Sequence, residues 1–179
     1  MSMLGGMARI LSFEGKRPVV ADGAYVSEDV TLVGDVHVGP DSSIWFGSVL
    51  RGDVLPIRIG ARTSIQDNSV VHTSTGRVPT EIGDDVTAGH AALLHGCKVH
   101  DRVIVGMGSI LLDGAEIGSD TILGAGSLVT ENTKIPSGVL ALGRPAKVVR
   151  ELREEEIAQI RESAEGYVAK CRKYLASQG

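Results

Sequence analysis

Aliphatic side chains recur every six residues through most of this chain. They stand at Val26, Leu32, Val38, Ile44 and Leu50, then at Ile59, Ile65 and Val71, then at Ile82, Ala88 and Leu94. A last run holds Val99, Val105, Leu111, Ile117, Leu123, Val129 and Ile135. Two positions earlier stands a second, usually small residue, as at Val30, Val36, Ser42, Ser48, Thr63, Ser69, Ala92, Ser109 and Ser127. Residues two apart share one side of an extended strand, and a turn every six residues sends the next short strand in a new direction. Gly follows the aliphatic position at 39, 60, 83, 89, 106, 118 and 124, where a turn tolerates a missing side chain.

Three such strands per circuit close a triangular prism, so the pattern predicts an all-β solenoid, a parallel β-helix of hexapeptide type. Its hexads, in runs of five, three, three and seven, make about six coils stacked ~4.8 Å apart. A period of six fits neither 3.6 nor 3.5, so a helical reading fails. The register breaks at Leu50–Ile59, Val71–Ile82 and Leu94–Val99, and insertions in a solenoid leave it as loops that often carry function. Beyond Gly143-Arg144-Pro145-Ala146-Lys147 the period changes. Ile157, Ile160, Ala164, Val168, Cys171 and Leu175 fall at steps of three and four, with Glu154, Glu155 and Glu156 near the start where the helix dipole favours them. The expectation is residues 1–149 as an N-terminal segment and β-helix, and 150–179 as an α-helix, roughly 152 to 176, packed on the prism within one domain.

Composition narrows this further. The 179 residues include 23 glycines but only 3% aromatics, which suits a prism too thin for rings. A net charge of −4 with no basic run argues against nucleic-acid partners or an anionic membrane surface. No stretch approaches the ~18 apolar residues of a membrane span, and the first residues lack a secretory pattern. A cytoplasmic location follows as the expectation, with Cys97 and Cys171 as free thiols.

The register sorts the five histidines. His72 follows Val71 and His95 follows Leu94, one circuit later, so the two stack in a column with Arg51 below them. His90 belongs to the next face, in a column with Asp67 and beside Gln66, while His37 and His100 lie elsewhere. Two stacked imidazoles can share a metal at about 2.0–2.1 Å. His90, around a corner of the same prism, can complete the set only from a neighbouring prism. The spacing therefore points to a homotrimer with three interfacial metal sites held by His72, His90 and His95. Such a site leaves a position for water and lowers its pKa to ≈ 7. Gln66 could orient the resulting hydroxide, and Asp53 or Asp67 could hold Arg51 and the ligands. The plainer alternative is three interfacial histidines used only for packing and hydrogen bonds.

Arg51-Gly52-Asp53, Ile65-Gln66-Asp67-Asn68, Val71-His72, Gly89-His90, Leu94-His95-Gly96-Cys97 and Val105-Gly106-Met107-Gly108-Ser109 together resemble the γ-class carbonic anhydrases and their relatives in the hexapeptide-repeat superfamily. The resemblance covers residues 10 to 175. It implies a left-handed β-helix, a homotrimer, Zn2+ (with Fe2+ or Co2+ as alternatives) on His72, His90 and His95, and reversible hydration of CO2 to bicarbonate. It also implies an interfacial salt-bridge network of Arg51, Asp53 and Asp67, and Gln66 on the metal-bound hydroxide. Tyr167 looks like a helix tyrosine that reaches the site, although periodicity alone equally allows a packing role. One departure stands out. The loop Thr73–Thr80 has no carboxylate, so buffer or another group such as Glu81 must take the proton; the expectation is a carbonic anhydrase-type lyase whose turnover this departure could lower or abolish.

Two other functions share this pattern. A hexapeptide acyltransferase using acyl-CoA needs a single histidine base, and a metal-bearing trimer could serve as a non-catalytic accessory component. Cys97, at an inward position, is expected in the core, with ligation as a lesser alternative.

Overall fold

The structure, a computed structural model, describes residues 8–177. It is a parallel β-solenoid of about seven turns with one C-terminal helix. Face one stacks Arg9–Leu11, Val70–His72, Leu93–His95, Ile110–Leu111 and Leu128–Val129 with the first halves of the long strands Thr31–Val38 and Val49–Ile59. Face two takes the second halves of those strands, together with Val19–Val20, Thr80–Ile82, Lys98–Val99, Glu116–Ile117 and Lys134–Ile135. Face three runs from Tyr25–Val26 through Ser43–Ile44, Ser64–Ile65, Thr87–Ala88, Val103–Val105 and Thr121–Leu123 to Val139–Gly143. An antiparallel strand, Ala146–Glu151, closes its upper edge.

The count exceeds the expected six coils because the first circuit escaped the hexad pattern. Ile10 stacks on Leu32 and Val20 on Val38, but ten residues separate Ile10 from Val20, and Phe13 and Lys16 pair in a small hairpin between them. Every aliphatic position from Leu32 to Ile135 points into one continuous core. Cys97 belongs to that core, and both cysteines are free and buried. Burial pushes the Cys97 thiol up to about 12, so it stays protonated and unreactive.

The glycines after the aliphatic positions do a different job from the one expected. No left-handed φ occurs at Gly39, Gly60, Gly83 or Gly89; a left-handed residue instead comes three positions before most of the aliphatic positions, as at Arg62, Asn68, Asp85 and Gly114. The post-aliphatic glycines are required by close stacking instead. A Cβ at Gly60 would lie 2.5 Å from the backbone of Gly83 in the next coil.

Outward positions give the three faces different characters. Face three is covered at its lower half by the helix Glu154–Ser177. Ile160, Ala164 and Cys171 are buried there, and Thr87 and Ser163 share a hydrogen bond of 3.0 Å. Leu175, expected on the buried stripe, is exposed. Tyr25, Trp45, Phe46, Tyr167 and Tyr174 interlock between prism and helix, so nearly all the scarce aromatics lie outside the prism. Face two carries Arg58, Glu81, Lys98, Glu116 and Lys134 in register, an alternating charge ladder. Face one carries Val49, Val70, Leu93, Ile110 and Leu128 in register, an apolar outward column in which Val70 is 39% exposed.

Steric and conformational glycines should separate in thermal unfolding. Gly60→Ala is expected to cost about 2–3 kcal/mol by overpacking backbone on backbone. Gly76→Ala, with φ of +69° but nothing within 4 Å, is expected to cost about 1 kcal/mol. Equal losses would contradict the stacking account. At the helix start, Glu156 accepts the Arg153 N–H and pairs with Arg150, and these hold its carboxyl down at about 2. Its contribution is therefore complete above its ordinary value of 4.5 and is lost as pH falls from there towards 2. The difference in melting temperature between wild type and Glu156→Gln should shrink over that window.

Candidate metal centre

Strands Val70–His72 and Leu93–His95 pair with His72 opposite His95, so the two imidazoles leave face one at the same corner, one strand spacing apart. Thr80 locks that corner: its Oγ1 donates to the His72 carbonyl (2.7 Å) and accepts the Gly96 N–H (2.9 Å). The rings are angled, with His72 Nδ1 3.2 Å from His95 Nε2. Each ring's other nitrogen meets a carboxylate, His72 Nε2 with Asp53 Oδ1 at 3.1 Å and His95 Nδ1 with Asp113 Oδ1 at 3.0 Å. Arg51 sits one coil below His72 and pairs with Asp53 at 2.5 Å.

This is the arrangement a metal needs from two imidazoles. Two nitrogens at 2.0–2.1 Å on a tetrahedral ion lie about 3.3–3.4 Å apart, close to the observed separation. The carboxylates behind the rings fix which nitrogen faces forward, as carboxylate–imidazole–metal triads do. Burial lowers the His72 pKa, outweighing the Asp53 hydrogen bond that raises it, so the ring is held neutral as a ligand must be. Burial also pushes Asp53 up, but the hydrogen bonds from Arg51 and His72 prevail and keep it below its ordinary value.

The second corner, beyond face three, collects the other expected residues. His90 is exposed and its Nδ1 lies 2.8 Å from Asp67 Oδ2, one coil below. Gln66, beside Asp67, is 6% exposed. Tyr167 has its phenol pKa raised by burial and by the Asp67 charge, with the nearby Gln66 side chain opposing the shift. Its ring also packs edge-on against Trp45 at 5.9 Å, so Tyr167 serves both the packing role and the contact to the site's corner. The two corners stay apart. Among the described residues of one chain, no three of His, Cys, Asp and Glu converge on a common point. His37 and His100 lie elsewhere, beside Asp35 and Glu116 respectively. Glu81 sits on face two, paired with Lys98 at 3.3 Å.

Asp113 was not among the expected residues. It stands one coil above Gly96, and a Cβ there would overlap its carboxylate. The sequence signal is a glycine right after a column histidine with an aspartate one circuit later.

Known proteins align with this chain over nearly its whole length. The bacterial transferase hexapeptide (six repeats) family matches residues 96–131. A carbonic anhydrase of Geobacillus kaustophilus is 49% identical, over 94% of this chain and 92% of its own. The chain belongs to the γ-carbonic anhydrase-like family of hexapeptide-repeat proteins. A probable carbonic anhydrase of Methanocaldococcus jannaschii is 55% identical over 84% of this chain and 94% of its own. Gamma carbonic anhydrase 1, mitochondrial, of Arabidopsis thaliana is 50% identical over 85% of this chain, which spans only 57% of that longer protein. Among solved structures, one from Bacillus cereus, described as a candidate acetyltransferase, superposes with a TM-score of 0.92 at 46% identity, covering 94% of this chain and 98% of its own. A hexapeptide transferase family protein from Anaplasma phagocytophilum gives 0.89 at 44% identity over 93% and 98%. Family membership implies a metal cofactor, in keeping with the paired imidazoles.

In metal-stripped protein, the His72 ring should protonate below the ordinary imidazole value of 6.5. Asp53→Asn should lower that midpoint further by removing a bond that favours the cation. Imidazole NMR titration reads both, and a midpoint at or above 6.5 would contradict the assigned environment.

Proposed function

We propose that this protein is a metal-dependent γ-carbonic anhydrase-type lyase, which reversibly hydrates CO2 to bicarbonate at sites shared between the subunits of a homotrimer. The observation that carries the reading is the 3.2 Å pair of His72 and His95 nitrogens, each ring backed by its own carboxylate. His90 of a partner subunit supplies the third imidazole. With a threefold axis parallel to the solenoid the heights fit this reading, because rotation about such an axis preserves height along the prism. The faces of Val71, Ile82, Ala88 and Leu94 each climb about a third of a ~4.8 Å coil. His90 therefore stands about two-thirds of a coil above His72 and a third below His95, so pure rotation carries it to the level between them. Asp67, one coil lower, arrives between Arg51 and His72. The apolar column on face one offers the contact surface.

His72, His95 and the partner subunit's His90 would hold Zn2+, Fe2+ or Co2+ as three neutral imidazoles, and the ion would supply Lewis acidity that makes a water-derived nucleophile available near neutral pH. The chain's own residues do the rest. Asp53 and Asp113 accept ring N–H bonds and keep the ligand nitrogens forward. Gln66, beside Tyr167, presents its amide to the reacting oxygen. Arg51 pairs Asp53 within the chain and Asp67 across the interface. No carboxylate occurs in the loop Thr73–Thr80 and Glu81 is tied to Lys98, so external base must carry away the proton that each hydration releases.

Purified protein should hold close to one metal per chain in a particle of three times the 18.8 kDa chain mass. Asp113→Asn should weaken metal affinity about 10- to 100-fold, read by competition with a chelator. Stopped-flow CO2 hydration should rise with buffer concentration. The second reading, acyl transfer from acyl-CoA, draws on the descriptions of the Bacillus and Anaplasma structures. Absence of hydration at every buffer concentration, with acetyl-CoA consumed in the presence of an amine or sugar acceptor, would replace the first reading by the second.

A further inference from the structure

Met107 is the most exposed large apolar side chain among the described residues, at 57%. It lies directly above His90: Ala88 pairs with Val105, and the Gly108 N–H donates to the His90 carbonyl at 2.8 Å. Gly89 makes room for it, since a Cβ there would stand 3.0 Å from Met107 Cγ. Two glycines, Gly106 and Gly108, flank it, so it is the one bulky side chain at this point of the corner. A lone exposed methionine thus crowns the corner that the proposed function carries into a partner.

We propose that Met107 forms the apolar wall of the CO2 subsite, against Leu112 of the partner subunit. The inference rests on the shared-site reading and uses the same heights. Met107 stands one coil above His90, about two-thirds of a coil above His95 and a third below Leu112. Rotation therefore sets it against the half-buried Leu112, which follows Leu111 in the column of His72 and His95. Every other side chain placed at the site is polar: Arg51, Asp53, Gln66, Asp67, Asp113 and Tyr167. CO2 has no net dipole and accepts hydrogen bonds poorly, so it needs apolar surface beside its attacker. Met107 and Leu112 provide that surface on the side of His95 away from Arg51 and Asp67. The thioether is polarisable and adapts its shape to a small ligand.

Two measurements test this. In stopped-flow hydration at saturating buffer, Met107→Gln should raise KM for CO2 about three- to tenfold while kcat stays within about twofold, the pattern of lost uniform binding. Met107→Leu should restore KM. A fall in kcat with KM unchanged, or no change in either, overturns the substrate role. Independently of activity, Met107→Cys combined with Leu112→Cys should crosslink on mild oxidation into covalent dimers and trimers, because disulfides need Cα atoms about 4.4–6.8 Å apart. Met107→Cys with Thr130→Cys, one coil higher, should not. A particle of trimer mass in which the first pair fails to crosslink overturns the contact and leaves the shared site standing. A wild type that is monomeric, or that hydrates no CO2, fails the underlying reading instead and takes the subsite with it.

Discussion

The stacking of one coil on the next governs this molecule. Backbone hydrogen bonds between parallel rungs fix a rise of ~4.8 Å, and the glycines after the aliphatic positions let successive corners approach until a Cβ at Gly60 would meet the Gly83 backbone at 2.5 Å. Once the corners are locked, every residue has a fixed face, height and direction. The functional geometry is a consequence of that register rather than of a folded pocket.

Register turns a one-dimensional pattern into three different surfaces. One face binds its own helix, one is self-neutralised by alternating Arg58, Glu81, Lys98, Glu116 and Lys134, and one leaves a column of aliphatic side chains outside. The two histidine corners bound different strands of this prism and cannot meet within a chain. The same thinness that excludes aromatics from the core excludes an internal active site, so chemistry moves to the outside, where a second prism can complete it.

Much of this was legible in the sequence because the period is rigid. The stacking of His72 on His95, the placement of Arg51 below them, and the pairing of His90 with Asp67 follow from counting residues. What escaped was set by contacts that counting does not reveal. The first coil hides behind the Phe13–Lys16 hairpin, which lengthens the step from Ile10 to Val20. The glycines at 60 and 83 looked like turn residues, yet the left-handed conformation falls at Arg62 and Asp85, where side chains are tolerated. Asp113 escaped because it reaches His95 across Gly96 from the coil above, a path opened only by a missing side chain. Tyr167 showed no periodic signal that separates packing from function; in the fold its ring packs on Trp45 while its phenol lies near Gln66 and Asp67.

The central claim is that each metal site takes ligands from two subunits, and complementation between subunits tests it most directly. One chain carries His90→Ala, and the other carries His72→Ala with His95→Ala. Each is measured for bound metal alone and after the two are unfolded together and reassembled. Neither variant alone should hold metal in stoichiometric amount, while the mixture should recover it, because a His90 from the second chain meets an intact His72–His95 pair on the first. A mixture that binds no more metal than its separate components, in particles of the expected mass, would contradict the account.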